Sequence, residues 1–231
     1  MGFTLTLNGN KSTLNASFFP PITLNEEYEC GLVDLQTYNS IPNIDKNNFR
    51  FVIGDQLVEI PTGSYEIDDI YNYITTVLKR SAPNINLEMK ANNNTLKCEI
   101  KSNRMIYFNH QRTIGPLLGF SSTVLYPDML HSSDLPVEIN KVNSISVDCN
   151  IINGSFFNDK ATHTLHEFSP TVPPGYKINE VPRTVIYLPV TSQEIRSITI
   201  RLLDQNGDLI NFQGENITVR LHLRPKHAGL H

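Results

Sequence analysis

Along most of the chain apolar and polar residues alternate one for one, which puts every second side chain on one face of a pleated strand. Phe3, Leu5 and Leu7 alternate with Thr4 and Thr6, and Ile145, Val147, Cys149 and Ile151 alternate with Ser146, Asp148 and Asn150. Both segments read as half-buried strands. Between Tyr28 and Ile41 apolar residues fall on both faces, Cys30 and Leu32 against Val33 and Leu35, as expected of a strand covered on two sides. Further on, Ile198, Ile200 and Leu202 alternate with Thr199 and Arg201, and Gln205-Asn206-Gly207-Asp208 supplies turn chemistry. Ile217, Val219, Leu221 and Leu223 then face one way, so this region predicts a β-hairpin whose second strand stops at Arg224-Pro225.

One segment changes period. Ile67, Ile70, Tyr71, Ile74, Val77 and Leu78 recur at spacings of three and four, the mark of an amphipathic helix. Ser64 is the expected N-cap, Glu66, Asp68 and Asp69 suit the positive end of the helix dipole, and Lys79, Arg80 and Pro83 mark the exit. Strand-like runs flank the helix: 49–53 and 56–60 across Gly54-Asp55, then 85–90, 95–101 and 105–108. Residues 49–120 therefore read as a small α+β unit inserted into a mainly β chain, with 1–48 and 121–231 forming the β domain. The proline-bearing stretches Phe18-Phe19-Pro20-Pro21, Tyr126-Pro127 and Pro170 to Gly175 read as loops.

Length and composition narrow the class. A chain of 231 residues buries roughly 70% of its unfolded surface, so it needs neither metal nor disulfide for stability. Cys30, Cys98 and Cys149 lack the paired spacing of a zinc site and cannot close a disulfide framework. They are expected to be small buried hydrophobes, in a reducing compartment. The alternation in MGFTLTLNGN is unlike a signal peptide, and no stretch approaches the ~20 apolar residues of a membrane span. A net charge of −4 argues against strong capture of nucleic acid. Sequons at Asn15, Asn153 and Asn216 are what an asparagine-rich chain produces by chance.

No catalytic constellation stands out. The chain holds no Gly-x-Ser-x-Gly elbow, phosphate-cradling loop or GxGxxG. His163-Thr164-Leu165-His166-Glu167 is the best metal candidate, yet residues three apart on a strand point to opposite faces. A solvated reading of these histidines is preferred, with no metal and no cofactor expected. Arg201, Arg220, Arg224 and Lys226, with His222 between, fall on the outward face of the expected hairpin. They form either a basic face or, the simpler expectation, charges paired with Asp204, Asp208 and Glu215 that discourage edge aggregation.

Four phrases carry a family likeness: Gly31-Leu32-Val33-Asp34-Leu35-Gln36-Thr37-Tyr38-Asn39-Ser40-Ile41-Pro42-Asn43-Ile44, Ile60-Pro61-Thr62-Gly63-Ser64-Tyr65-Glu66-Ile67, Ile200-Arg201-Leu202-Leu203-Asp204-Gln205-Asn206-Gly207, and Ile217-Thr218-Val219-Arg220-Leu221-His222-Leu223. Together they resemble the penton, or minor capsid, proteins of Polinton/Maverick elements and adintoviruses. The resemblance implies a single jelly-roll β-sandwich that forms homopentamers at the icosahedral vertices of a double-stranded DNA virus or virus-derived element. It implies as partners a double jelly-roll major capsid protein and, optionally, a spike or fibre. The place of action would be the virion capsid, assembled in the cytoplasm or nucleus. The middle block, from Gly63-x-Tyr65 to Gly115-Pro116-Leu117-Leu118-Gly119-Phe120, resembles an insertion found in viral capsid and spike proteins.

On that reading the protein is not an enzyme, and its candidate assembly residues are Phe18, Phe19, Pro20, Pro21, Pro42, Pro173, Pro174 and Tyr176, with Phe18, Phe19 and Tyr176 as apolar anchors. A receptor- or glycan-binding attachment module is the alternative, because jelly rolls also serve as lectins. A cupin-type enzyme using His163, His166 and Glu167 is a third reading, weakened by the departure from the His-x-His motif.

Overall fold

A computed structural model describes residues 1–121, 123–139 and 141–226. Chain contacts divide it into two units, one made of 1–41 with 142–231 and the other of 42–141. In the first unit the alternating segments become β1 (Phe3–Gly9), β2 (Thr13–Thr23), β3 (Tyr28–Tyr38), β4 (Ile145–Cys149), β5 (Thr164–Phe168), β6 (Lys177–Glu180), β7 (Glu194–Leu203) and β8 (Ile217–Pro225). One sheet runs β1-β8-β3-β6, with Leu188–Pro189 pairing further along β3, and the other runs β5-β4-β7-β2. All these pairings are antiparallel. Such an order, in which the chain repeatedly crosses between two facing sheets, is the jelly-roll sandwich.

Burial explains why the alternation settles this way. Leu7, Leu35, Val219, Leu221 and Leu223 from one sheet and Leu14, Val147, Cys149, Ile198, Ile200 and Leu202 from the other join one buried cluster. Their outward neighbours Thr4, Thr6, Arg201 and Arg220 are exposed. β3 is covered on its second face too, in part by the segment around Val185–Tyr187. Gly31 permits that approach, since a Cβ there would lie 3.0 Å from Ile186 O and 3.2 Å from Tyr187 Cδ1.

Two expectations about this unit need correction. The 204–208 turn forms, with the Gly207 N–H donating to Asp204 O at 3.0 Å. Pairing there nevertheless reaches only the Leu203–Leu209 bridge, and β7 and β8 lie in different sheets. Ile210 and Phe212 drop into the core, and the chain crosses over instead of folding back. The Phe18–Pro21 stretch is not a loop but lies within β2, an edge strand of its sheet. Ser17 pairs with Ser197 and Ile22 with Ile195, so Phe18 to Pro21 lie opposite Arg196 alone. An edge bulge of this kind tolerates prolines, whose missing N–H is not required. The Phe19–Pro20 peptide is cis.

The α+β unit has its own core, built on Ile44, Phe51, Ile53, Ile70, Ile74, Leu78, Ile100, Phe108 and Leu118. One antiparallel sheet orders Gln56–Glu59, Arg50–Ile53, Ile106–Tyr107 and Val124–Leu125, and another orders Leu130–Ser132, Lys97–Ser102 and Leu87–Asn92. The helix spans Ile67–Ser81 and buries Ile67, Ile70, Ile74 and Leu78. Its N-cap is Glu66 rather than Ser64, because Glu66 and Asp69 bond each other's backbone N–H groups in a capping box.

The unit is wider than 49–120. Ile44 is fully buried in its core and bridges Gly63, and the short strands at 124–125 and 130–132 pair inside it. Its two ends meet: Lys141 reaches Asp45 at 3.3 Å, while the Asn43 amide donates to Tyr65 O at 2.7 Å and Ile139 O at 3.2 Å.

Candidate assembly surface

The sandwich has two ends, each tied by its own hydrogen bonds. At one end the Asn39 N–H donates to Tyr176 O, the Gly175 N–H to Asn39 O, and Ser40 Oγ to Phe212 O. At the other the Leu24 N–H donates to Gln193 O, the Val190 N–H to Tyr28 O and the Asn153 N–H to Pro189 O. It also has two lateral edges. β1 and β2 form one, and β5 and β6 form the other, where His166 Nε2 and Glu180 Oε1 lie 2.9 Å apart.

The candidate assembly residues fall into two separate groups on this frame. Pro173, Pro174 and Tyr176 belong to the 169–176 connection at the first end, with Tyr176 65% exposed. Phe18 to Pro21 sit on the β2 edge towards the second end. Phe19 is 100% exposed, whereas Phe18 turns inward and packs against the sandwich core. Pro42 is buried, so it is unavailable as a direct contact. Phe19 and Tyr176 thus remain as exposed anchors, and the structure does not bring them together.

A further aromatic pair escaped the sequence reading. Between β4 and β5 a two-stranded hairpin, Ser155–Phe157 with Lys160–Thr162, stands beside the β5 edge. Phe156 is 72% and Phe157 61% exposed. Neighbours on a strand point to opposite faces, so neither face of this hairpin is covered. Two aromatics directly before Asn158-Asp159, a turn pair with Asn158 at φ 54°, were the available signal.

The arginines do not form one basic face. Arg201 lies on β7 in one sheet, and Arg220 and Arg224 lie on β8 in the other. Each is engaged by a carboxylate: Arg201 with Asp148 at 3.4 Å, Arg220 with Asp34 at 2.9 Å and Arg224 with Glu29 at 2.6 Å. Lys226 meets Glu27 at 3.2 Å. These acids come from β3, β4 and the connection preceding β3, not from Asp204, Asp208 or Glu215. Arg224 also stacks 3.5 Å over the Tyr187 ring, whose hydroxyl shares a 2.8 Å hydrogen bond with His222 Nδ1.

The histidine candidates are engaged separately. His163 Nδ1 lies 2.7 Å from Ile152 O, His166 faces Glu180, and Glu167 is exposed. Among the described residues no three His, Cys, Asp or Glu side chains gather as metal ligands would. The cysteines are buried and free. The neighbouring Cys149 sulfur and burial push the Cys30 thiol up, and burial with the nearby Glu99 charge pushes Cys98 up to about 12. Neither environment favours a nucleophilic thiolate.

No protein-family model matches the chain, and no curated protein sequence matches it. Among solved structures, a crystal structure of the mavirus penton protein superposes on it with a TM-score of 0.50. The alignment covers 96% of this chain and 98% of that one at 11% identity. The likeness is one of fold and runs through nearly the whole length of both chains.

Proposed function

We propose that the protein is a structural capsid subunit, a penton that closes five-fold rings at the vertices of a double-stranded DNA virus or of a virus-derived element of the Polinton or adintovirus kind. The observation that carries this reading is the near end-to-end fold likeness to the mavirus penton protein, which takes in the jelly roll and the inserted α+β unit alike. The phrases around Gly31 to Ile44 and Ile217 to Leu223 support the narrower viral group.

Physical considerations favour a ring. A head-to-tail ring uses two different patches on each copy, whereas a two-fold dimer uses one patch twice. Exposed aromatics sit on both lateral edges, Phe19 on β2 and Phe156 with Phe157 beside β5. On this reading the protein carries out no chemical step. Its partners are then other copies of itself and a double jelly-roll major capsid protein.

The test is the mass of the purified protein by light scattering, together with electron microscopy. Pentamers visible as five-fold rings are expected, alone or once the matching major capsid protein is added. A monomer at tens of micromolar under both conditions overturns the proposal.

A further inference from the structure

The hairpin at Ser155–Phe157 and Lys160–Thr162 is costly to leave as it stands. A lone two-stranded hairpin is marginal in water, and this one exposes a phenylalanine on each face. Each such ring offers about 150–250 Å² of surface for burial. The hairpin's own bonds, Ser155 Oγ to Thr162 O at 2.8 Å and Thr162 Oγ1 to Ser155 Oγ at 3.0 Å, hold its shape but cover neither ring.

Position and charge point to what covers it. The hairpin flanks β5, one edge of the β5-β4-β7-β2 sheet, and Phe19 projects from β2, the opposite edge. Both lie towards the same end of the sandwich. The segment leading to the hairpin bridges Val190 through Ile152, the Val190 N–H bonds Tyr28 O, and Leu24, the residue after β2, bonds Gln193. A rotation about an axis roughly parallel to the strands therefore sets the hairpin of one copy level with the Phe19 edge of the next. Lys160 in the hairpin is exposed beside Asp159, and in the loop after β2 Glu26 is exposed while Glu27 meets Lys226 at 3.2 Å. Lys160 and Glu26 thus offer one pair of opposite charges across the two aromatic patches.

Resting on the ring reading, we propose that this hairpin is a clasp: Phe156 and Phe157 of one copy pack against the Phe19 edge of its neighbour, with Lys160 facing the Glu26 loop. The occupant is a second copy of this chain, held in a heterologous contact that repeats around the ring. Phe19, extruded by the bulge opposite Arg196, is the receiving anchor.

Single-cysteine cross-linking tests it, because the native cysteines are buried and leave introduced thiols to react alone. Phe19→Cys protein is mixed with Phe157→Cys or Phe156→Cys protein and oxidised with diamide, which takes up the two thiol hydrogens. A cross-linked dimer is expected in the mixtures well above the level in either variant alone. A chain carrying both Phe19→Cys and Phe157→Cys should give a ladder ending at the ring. Separately, the double variant Phe156→Ser with Phe157→Ser should weaken ring formation by roughly thirtyfold or more, the scale for losing a hot-spot aromatic, with its melting temperature unchanged. Rings that form normally, yet show no mixture-specific cross-link and no weakening, overturn the clasp while leaving the ring reading intact. A wild-type protein that never forms rings overturns both.

Discussion

Replacing Arg220 with Ala should separate a structural ion pair from a decorative one. Asp34 sits in β3 with its side chain only 8% exposed, and Arg220 Nη1 meets it at 2.9 Å from β8. Gln36 Nε2 also donates to that carboxylate, at a long 3.4 Å. Exposed ion pairs contribute about 0–1 kcal/mol, whereas breaking a buried one costs about 3–5 kcal/mol by stranding a charge. Arg220 is 44% exposed while its partner is nearly sealed, so the case lies between these limits. The expected loss is about 2 kcal/mol, or roughly a thirtyfold fall in the folded-to-unfolded ratio. For a chain of this size that corresponds to a melting-temperature drop of about 4–8 °C. Urea unfolding, with hydrogen exchange followed at the β3 and β8 amides, would measure it. Adding Asp34→Asn to the Arg220→Ala protein should recover about half of the loss, since it removes the orphaned charge. A loss below about 0.5 kcal/mol, or no recovery on neutralising Asp34, would refute the reasoning.

Other outcomes follow from groups in the α+β unit and from the thiols. Asn43→Ala strips three hydrogen bonds from a residue 4% exposed, to Tyr65 O, Ile139 O and the Tyr65 N–H. It should cost at least about 2 kcal/mol, seen as faster exchange of the Tyr65 amide. Hydrogen bonds from Asn92 and then Lys90 hold the Glu99 carboxyl below its ordinary value, and Ser121 does the same for Asp134. A carboxyl lowered in the folded state stabilises above its unfolded pKa, and the stabilisation disappears as pH falls through the folded value. Glu99→Gln with Asp134→Asn should therefore flatten the fall in melting temperature below about pH 4.5. Iodoacetamide at about pH 8 should leave all 3 cysteines of the native protein unlabelled and label all of them in denaturant.

Much of the fold was legible because period-two alternation survives into burial. Leu7, Val147, Cys149, Ile200 and Leu221 all point inward where the pattern placed them. The three- and four-residue spacing of Ile67, Ile70, Ile74 and Leu78 marked the helix face that is buried. What alternation cannot say is which sheet a strand joins. β8 presents the same inward row beside β7 or between β1 and β3, and only Ile210 and Phe212 entering the core decide the matter. The ion pairs were illegible for the same reason, since Arg220 and Asp34 are distant in sequence and meet only through strand order.

Local rules also misjudged the proline stretch. Pro20 and Pro21 argue against a central strand, but an edge bulge accepts them. Strands as short as Val124–Leu125 and Leu130–Ser132 hold too few residues to show a period, which hid the true width of the α+β unit. Exposure of single side chains was the least legible feature. Phe18 and Phe19 look alike in sequence, yet one is packed against the core and the other lies bare, and the Phe156-Phe157 hairpin was passed over altogether.

The place of β8 has a bearing on biogenesis. It lies between β1 and β3, so a strand late in the sequence fills a gap left by two early ones. Until β8 emerges that sheet of the jelly roll stays open, whereas the 42–141 unit, complete earlier in the sequence, has a core of its own. Pairings of such long sequence separation make folding slow. A chain in which β8 has not yet paired therefore lacks the inward row Ile217, Val219, Leu221 and Leu223 of its sandwich core.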